Sequence, residues 1–195
     1  MRKLIVTGAN GQLGRAINQV YKNSSEYECV NTDVNDLDIT NIDAVLQYVD
    51  GIKPYAIINC AAHTNVNRCE TDVDNAYRIN AIGPRNLSIA ATRAGAKLMH
   101  VSTDYVFDGH ASTPYTEFDT PNPEAVYGKT KLAGEQFVKE FAKDYFIVRT
   151  AWLYGDGKNF VKTMLGLSET HDKVTVVGDQ FGSPTSADEI AKAIA

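Results

Sequence analysis

Residues 3–14 read Lys-Leu-Ile-Val-Thr-Gly-Ala-Asn-Gly-Gln-Leu-Gly, and they decide the fold class of this chain. The short apolar run predicts a buried strand, and residues 15–22 have the apolar spacing of a helix. Gly8, Gly11 and Gly14 lie between them with G-x-x-G-x-x-G spacing. Such glycines allow a tight turn and let a pyrophosphate approach the backbone at the helix N-terminus. The stretch therefore predicts a dinucleotide site, with a purely structural turn as the alternative.

The same alternation of strand and helix continues through the 195 residues. Further strands are predicted at 27–32, 55–59, 97–102, 145–150 and 173–177, and helices at 42–50, 74–94, 125–143, 159–167 and after 186. Regular alternation predicts an α/β fold, a doubly wound parallel sheet of the Rossmann-like type with helices on both faces. The length indicates one domain, residues 1–195, with ligands at the carboxyl ends of the strands.

Composition narrows the class of protein. The chain has 19 basic and 24 acidic residues, a net charge of −5 and no Lys/Arg block, which argues against a nucleic-acid partner. Cys29, Cys60 and Cys69 show no Cys-x-x-Cys spacing, and Leu4-Ile-Val6 is too short for a signal or membrane segment. We therefore expect a cytoplasmic protein with reduced cysteines, no membrane contact and no metal site.

A second stretch predicts proton chemistry. Thr103 follows the fourth predicted strand, while Tyr127 and Lys131 are four residues apart in a predicted helix and so share one face. An ammonium close to Tyr127 is expected to lower the pKa of the phenol and make it a general acid toward a ketone. Thr103 or Ser102 would bind the ketone oxygen. Adjacent strand residues point to opposite faces, so only one of these two hydroxyls is expected to reach a substrate.

The Tyr-x-x-x-Lys spacing also occurs at Tyr154 and Lys158. That second match contains Gly155-Asp-Gly157, which predicts a turn, so its spacing defines no common helix face. Residues 129–143, by contrast, contain no proline and one glycine. The helical context therefore favours the first pair.

Other positions leave alternatives open. Asp33, after the second strand, could bind adenosine ribose hydroxyls and favour NAD, whereas Arg15 could bind a 2′-phosphate. His63 is a candidate catalytic or metal-binding residue, with a structural role favoured. Asn80 is either a satisfied core amide or part of a water relay. The loop 107–123, rich in Gly, Pro, Asp and Thr, is a candidate substrate-facing flap.

These motifs together resemble a known family. The glycine turn, Thr103 and Tyr127-x-x-x-Lys131 resemble the extended short-chain dehydrogenase/reductases. Within them, several stretches resemble the dTDP-4-dehydrorhamnose reductases: residues 8–14, 59–64, 102–107, 126–135, 149–154 and 179–185. The resemblance extends over essentially the whole chain.

The resemblance implies an oxidoreductase that reduces the 4-keto group of dTDP-6-deoxy-L-lyxo-4-hexulose to dTDP-L-rhamnose with NADPH or NADH. Tyr127 would donate the proton, Lys131 would bind the nicotinamide ribose, and Thr103 would hold the ketone oxygen. The implied substrate-binding residues are Thr103, Asp104, Tyr105 and Trp152. The implied cofactor-binding residues are Gly8, Asn10, Gly11, Gln12, Leu13, Gly14, Asp33, Asp38, Ile39, Ala61, Ala62, Thr64, Tyr127 and Lys131. A dTDP-sugar is the expected partner, and a homodimer is left open.

The resemblance also defines departures and alternatives. The family continues past the equivalent of Ala195 with a C-terminal segment that completes the substrate pocket, and the substrate-binding part would begin at Trp152. Asn67 stands where the family commonly has an acidic residue. By the same resemblance, dehydratases of this fold have Thr-Asp-Glu at the position where this chain has Thr103-Asp-Tyr105. The difference argues against dehydration. A nucleotide-sugar epimerase and a non-catalytic regulatory subunit that binds a dinucleotide remain alternatives.

Overall fold

A five-stranded parallel sheet forms the centre of the computed structural model, which describes residues 1–195. Its strands are β1 (Arg2–Thr7), β2 (Tyr27–Thr32), β3 (Ala56–Asn59), β4 (Lys97–Thr103) and β5 (Tyr145–Thr150). They lie in the order β2-β1-β3-β4-β5, and every pair is parallel. The chain therefore changes direction across the sheet between β1 and β3, where sheets of this kind place their ligands. The predicted doubly wound fold is confirmed.

Helices cover both faces of the sheet. Five of them are α1 (Gln12–Tyr21), α2 (Ile42–Ile52), α5 (Gly83–Ala94), α6 (Val126–Phe141) and α8 (Ala187–Ile194). In β1, Leu4 and Val6 pack against α1 and α8, whereas Ile5 packs against α2 and α5. Because both faces are buried, the successive residues Leu4, Ile5 and Val6 of β1 are all apolar, which explains the uninterrupted run that predicted this strand.

The predicted helix over 74–94 forms in three parts. The first is α4 (Val73–Tyr77), the second a π-helical turn (Arg78–Ile82), and the third is α5. A four-residue helix, α3 (Val66–Cys69), comes before them. The π turn carries Asn80, whose side chain is completely buried. A wider turn within a helix commonly marks a functional position.

The prediction of a sixth strand at 173–177 is wrong. Those residues form no strand, and Val176 and Val177 are exposed. Alternating valines form a strand only where a neighbouring strand supplies hydrogen bonds, and no strand borders this segment. Instead, β6 (Leu153–Tyr154) pairs with β7 (Thr185–Ser186), and α7 (Phe160–Ser168) lies between them in the chain. None of the helices is both long and apolar enough to cross a membrane.

Candidate active site

One cleft of about 990 Å³ runs along the carboxyl edge of the sheet. It contains every residue to which the family resemblance assigns catalysis or binding. These residues are Gly8, Asn10, Gly11, Gln12, Leu13, Gly14, Asp33, Asp38, Ile39, Ala61, Ala62, Thr64, Thr103, Asp104, Tyr105, Tyr127, Lys131 and Trp152. The structure thus brings them together, while the ligand atoms that each contacts remain predictions.

The glycine turn forms one end of this cleft. Gly8 has φ +63°, and a Cβ on it would lie 2.8 Å from the backbone nitrogen of Ala61. A Cβ on Gly14 would lie 2.5 Å from the carbonyl oxygen of Gly8. Glycine is therefore required at both positions, since the turn packs backbone against backbone. The ten-residue helix α1 begins here, and its unpaired amide groups and dipole favour a bound phosphate. These residues fit the pyrophosphate of a dinucleotide.

Two side chains beside the turn are candidates for the adenosine end of the cofactor. The Asp33 carboxylate accepts a hydrogen bond from the Asn10 amide at 3.2 Å. Arg15 donates to the carbonyl oxygens of Asn10 and Asp156 and lies 3.3 Å from the Asp156 carboxylate. Both side chains line the cleft, so a partner for ribose hydroxyls and a partner for a phosphate are both present.

Thr103 ends β4 beside Tyr127. Its hydroxyl donates to the Asp104 carboxylate at 3.0 Å and accepts from the Tyr105 amide at 3.2 Å. The Thr103 side chain also acts to lower the pKa of Tyr127. Ser102 is buried and its hydroxyl has no hydrogen-bond partner. Of these two hydroxyls, the one that acts on the pKa of the Tyr127 phenol is that of Thr103.

The start of α6 packs tightly on the short 3₁₀ turn formed by Asp104–Val106. The rings of Tyr105 and Tyr127 meet edge-on with centroids 5.5 Å apart. A Cβ on Gly128 would collide with the carbonyl oxygen of Tyr105 and lie 3.0 Å from the Cβ of Pro123. The absence of a side chain at Gly128 thus allows Tyr127 to approach the end of β4.

The prediction of a lowered pKa for Tyr127 is wrong. Burial raises the pKa of Tyr127 to about 12, the Thr103 side chain opposes this rise, and the Asp104 carboxylate adds to it. Desolvation disfavours the phenolate more strongly than any neighbouring group favours it. The influence that most favours the phenolate comes from Thr103, not Lys131. The phenol consequently carries its proton at neutral pH, as a proton donor must.

Lys131 is almost completely buried at the centre of the site. Its Nζ donates to the carbonyl oxygen of Val101 at 2.7 Å. Desolvation lowers the pKa of Lys131 from 10.5 to about 8, and Glu135 and Cys60 oppose that fall. The side chain is therefore still an ammonium at pH 7. A buried ammonium with one hydrogen bond is costly, which is typical of a functional residue.

His63 and Asn80 support the cleft without lining it. The His63 Nδ1 lies 3.3 Å from the Cys69 sulfur, and its Nε2 lies 3.8 Å from the Asp72 carboxylate. The backbone nitrogen and oxygen of His63 bind the two ends of the Asn80 amide at 2.8 and 3.0 Å. Asn80 also donates to Thr130 at 3.1 Å. The structure therefore fits the core-amide interpretation of Asn80 and the structural interpretation of His63.

Two other predictions concern segments outside the cleft. No residue of 107–123 lines it, so the role of this loop as a substrate-facing flap stays a prediction. Tyr154 lies in β6 and Lys158 follows in a loop, so this pair shares no helix face, as predicted.

Some cleft residues were missed from the sequence. Three threonines that each end a strand line the cleft: Thr7, Thr32 and Thr150. Cys60 and Lys158 also line it, although neither ends a strand. The strand-end position was itself a signal, because ligands in such sheets bind at the carboxyl ends. For Lys158 the sequence offers no signal beyond its spacing from Tyr154. No group of three or more His, Cys, Asp or Glu side chains is arranged to hold a metal ion.

Comparison with known proteins identifies the family. The model described as the RmlD substrate binding domain matches residues 1–195. The chain belongs to this family.

Two curated relatives match the whole of this RmlD-family chain. The dTDP-4-dehydrorhamnose reductase of Aggregatibacter actinomycetemcomitans is 44% identical over 100% of this chain and 66% of its own length. The spore coat polysaccharide biosynthesis protein SpsK of Bacillus subtilis is 42% identical over 100% of this chain and 69% of its own. The chain spans about two thirds of the length of these curated relatives.

Solved structures agree with this assignment. A dTDP-4-dehydrorhamnose reductase from Clostridium acetobutylicum has a TM-score of 0.96 at 57% identity, covering 98% of this chain and 68% of that one. The reductase from Bacillus anthracis, in complex with NADP, has a TM-score of 0.94 at 50% identity, covering 100% of this chain and 69% of that one. A UDP-glucose 4-epimerase from Brucella ovis, at 19% identity and TM-score 0.84, shares the fold alone.

Proposed function

We propose that this RmlD-family chain forms the cofactor and proton-transfer site of an enzyme that reduces dTDP-4-dehydro-6-deoxy-L-sugar to dTDP-L-rhamnose, using NADPH or NADH. One observation carries the proposal. The Thr103 hydroxyl, the protonated phenol of Tyr127 and the buried ammonium of Lys131 meet in the cleft that also contains the glycine turn. The proposal is supported by the reductase names of its relatives and by the NADP bound to the Bacillus anthracis protein.

The cofactor would lie along the carboxyl edge of the sheet. Residues 8–14 and the N-terminus of α1 would bind the pyrophosphate, and Asp33 would bind the adenosine ribose. Ala61 and Ala62 have small side chains that leave their backbone accessible to the nicotinamide half. Lys131 would hold the nicotinamide ribose through its remaining N–H donors. When bound, the reduced nicotinamide supplies the hydride.

The chain's own side chains would handle the proton. Tyr127 would donate a hydrogen bond to the ketone oxygen, and so would Thr103 once its hydroxyl turns away from Asp104. Negative charge develops on that oxygen in the reaction. Tyr127 transfers its proton to that oxygen, so an O–H bond forms and a phenolate remains. A proton from solvent then restores the phenol.

The substrate would enter beside Asp104, Tyr105 and Trp152. Trp152 begins the part of the chain assigned to substrate binding, and its ring is half exposed in the cleft wall. Tyr105 bears on the reaction class, because eliminating water requires a further acid or base. The ring of Tyr105 instead packs edge-on against Tyr127. This favours reduction over dehydration.

A coupled assay tests the proposal with the full-length protein. The upstream 4-keto sugar nucleotide is supplied, and the absorbance of NADPH or NADH is followed with each cofactor in turn. We expect oxidation of the cofactor, and we expect Tyr127→Phe to abolish turnover while nicotinamide fluorescence still reports binding. Tyr154→Phe, the tyrosine of the second Tyr-x-x-x-Lys match, should retain activity.

Two results would contradict the proposal. No oxidation with any 4-keto deoxysugar nucleotide would remove the reductase activity. Normal turnover by Tyr127→Phe would remove Tyr127 as the acid while leaving the overall reaction in place.

A further inference from the structure

A single buried ion pair fastens α6 to β5. The Glu135 side chain is fully buried, and its two carboxylate oxygens accept hydrogen bonds from Arg149 Nε and Nη2 at 2.8 and 2.6 Å. Bidentate pairs of this kind are strong and hold a defined geometry. Glu135 follows Lys131 by four residues and Tyr127 by eight, so the three lie on one helix face.

Arg149 connects this pair to the end of β4. Its guanidinium carbon lies 4.9 Å from the centre of the Phe107 ring. Phe107 directly follows the 3₁₀ turn 104–106, which contributes two residues to the cleft. The Phe107 ring also stacks on Tyr115 with centroids 4.2 Å apart and an angle of 6°. Tyr115 in turn donates to the Asp108 carboxylate at 2.7 Å.

Stability alone is a weak explanation for this arrangement. Replacing a buried ion pair by apolar residues of similar volume is often neutral or stabilising, because desolvation offsets the attraction. What the pair provides is a defined geometry between α6 and β5. Helix α6 carries Tyr127 and Lys131, and β5 pairs with β4, which ends at Thr103.

We propose that Glu135 and Arg149 are positioning residues that set the distance between Tyr127 and the segment Thr103–Tyr105. The ion pair fixes α6 against β5. The guanidinium holds Phe107, and Phe107 holds the 3₁₀ turn in place. This inference rests on the proposed function, because it assigns a role to the geometry of that site.

Glu135 has a second effect, on the charge of Lys131. The titratable groups that interact with Lys131 are Glu135 from α6, Cys60 after β3 and His100 from β4. Among them, Glu135 favours the ammonium most. Burial raises the pKa of the Cys60 thiol to about 12, and burial lowers the pKa of His100 well below its usual value, so both are neutral at pH 7.

The first experiment compares turnover in the full-length enzyme. Arg149→Lys keeps the charge but loses the bidentate fork, and Phe107→Leu removes the ring while leaving the ion pair intact. We expect kcat to fall by on the order of tenfold or more in each, because small misplacements of reacting groups are costly. The dissociation constant of NADPH should stay within about twofold, since the glycine turn is untouched. Arg93→Lys, in the exposed pair with Asp50, and Phe137→Leu on α6 are the matched controls.

Glu135→Gln tests the effect on charge. Activity that needs the Lys131 ammonium is lost as pH rises through its pKa of about 8. Without the carboxylate this pKa falls further, so the loss in the kcat/KM profile should move to lower pH by about one unit. A purely structural role would reduce the amplitude and leave the position of the profile unchanged.

The second experiment needs neither cofactor nor substrate. The Phe107 amide donates to Asp104 and the Asn122 amide donates to Val106, each at 2.9 Å. We expect hydrogen exchange at both to accelerate by on the order of tenfold in Arg149→Lys and Phe107→Leu, and to stay unchanged in the two controls. If Arg149→Lys fails to fold, Phe107→Leu carries the test.

The outcomes separate the two claims. Wild-type kcat in folded Phe107→Leu, or wild-type exchange at both amides, overturns the positioning role. An inactive wild-type enzyme overturns the proposed function instead, and the exchange result still decides whether Arg149 and Phe107 hold the turn.

Discussion

Replacing Lys131 by methionine should stabilise the fold while it abolishes turnover. Lys131 is a buried ammonium whose Nζ makes one hydrogen bond, to the carbonyl oxygen of Val101. Methionine has a similar length and no charge, so it fills the same space without desolvating an ion. The group that the proposed reaction needs is therefore one that the folded state holds at a cost.

The size of the effect follows from the pKa. A fall from 10.5 to about 8 corresponds to about 3 kcal/mol of lost stability at neutral pH, at about 1.4 kcal/mol for each pH unit. Losing the hydrogen bond to Val101 costs about 1 kcal/mol. We therefore expect Lys131→Met to raise the free energy of unfolding by about 2 kcal/mol at pH 7.

The gain should depend on pH in a defined direction. Because the pKa of Lys131 is lower in the folded state, the unfolded chain binds more protons between pH 8 and 10.5. The cost of burying the ammonium is complete below about pH 8 and disappears above 10.5. The stability of the wild-type protein relative to Lys131→Met should thus rise through that window.

Urea unfolding at about pH 7 and about pH 10 measures both quantities. Lys129→Met is the control, because Lys129 is an exposed lysine on the same helix. Its stability should change by less than about 0.5 kcal/mol. The reasoning is refuted if Lys131→Met is no more stable than wild type at neutral pH, or if the difference persists unchanged in alkali.

Other predictions concern the glycine turn, the π turn and the phenol. Gly14→Ala should lower stability by about 1–3 kcal/mol and weaken NADPH binding, because its Cβ would lie 2.5 Å from the Gly8 oxygen. Gly166→Ala, with nothing within 4 Å of its Cβ, should change neither stability nor NADPH binding. Thermal denaturation and fluorescence titration measure both, and equal results for Gly14→Ala and Gly166→Ala would contradict the prediction. Asn80→Ala should cost about 2–3 kcal/mol in urea unfolding, since it leaves His63 backbone groups unpaired; a loss under about 0.5 kcal/mol would argue against that role. In the ligand-free protein, Tyr127 should not ionise up to about pH 10, so wild type and Tyr127→Phe should show equal phenolate absorbance there, and a difference near pH 9 would contradict the buried phenol.

The first βα unit could be predicted from sequence because its signals are local. An apolar strand, three spaced glycines and a helical period lie within about twenty residues, and each constrains the backbone directly. The strand-end positions of Thr103 and the helix that carries Tyr127 and Lys131 followed from the same alternation. Once the sheet was predicted to be parallel, its carboxyl edge brought these residues together.

What could not be predicted depends on contacts between distant residues. The strand expected at 173–177 has a suitable alternation, but no neighbouring strand is there to pair with it. The π turn leaves no trace in the apolar pattern, so the way Asn80 holds His63 was hidden. The direction in which the pKa of Tyr127 shifts depends on burial, whereas the Tyr-x-x-x-Lys spacing predicts only that a charged lysine lies nearby. The Glu135–Arg149 pair joins a helix to a strand, with no motif to announce it.

Gly128 shows that the Tyr-x-x-x-Lys spacing alone is not enough to transfer this site to another protein. A phenol and an ammonium can be placed four residues apart on many helices. Here, however, the phenol reaches its hydroxyl partner because the next residue has no side chain and a carbonyl-bearing turn fills that space. A graft of Tyr127 and Lys131 onto another scaffold would therefore reproduce the phenol and the ammonium but not their distance from the Thr103 hydroxyl. The transferable unit is the first turn of α6 together with the 3₁₀ turn that packs against it.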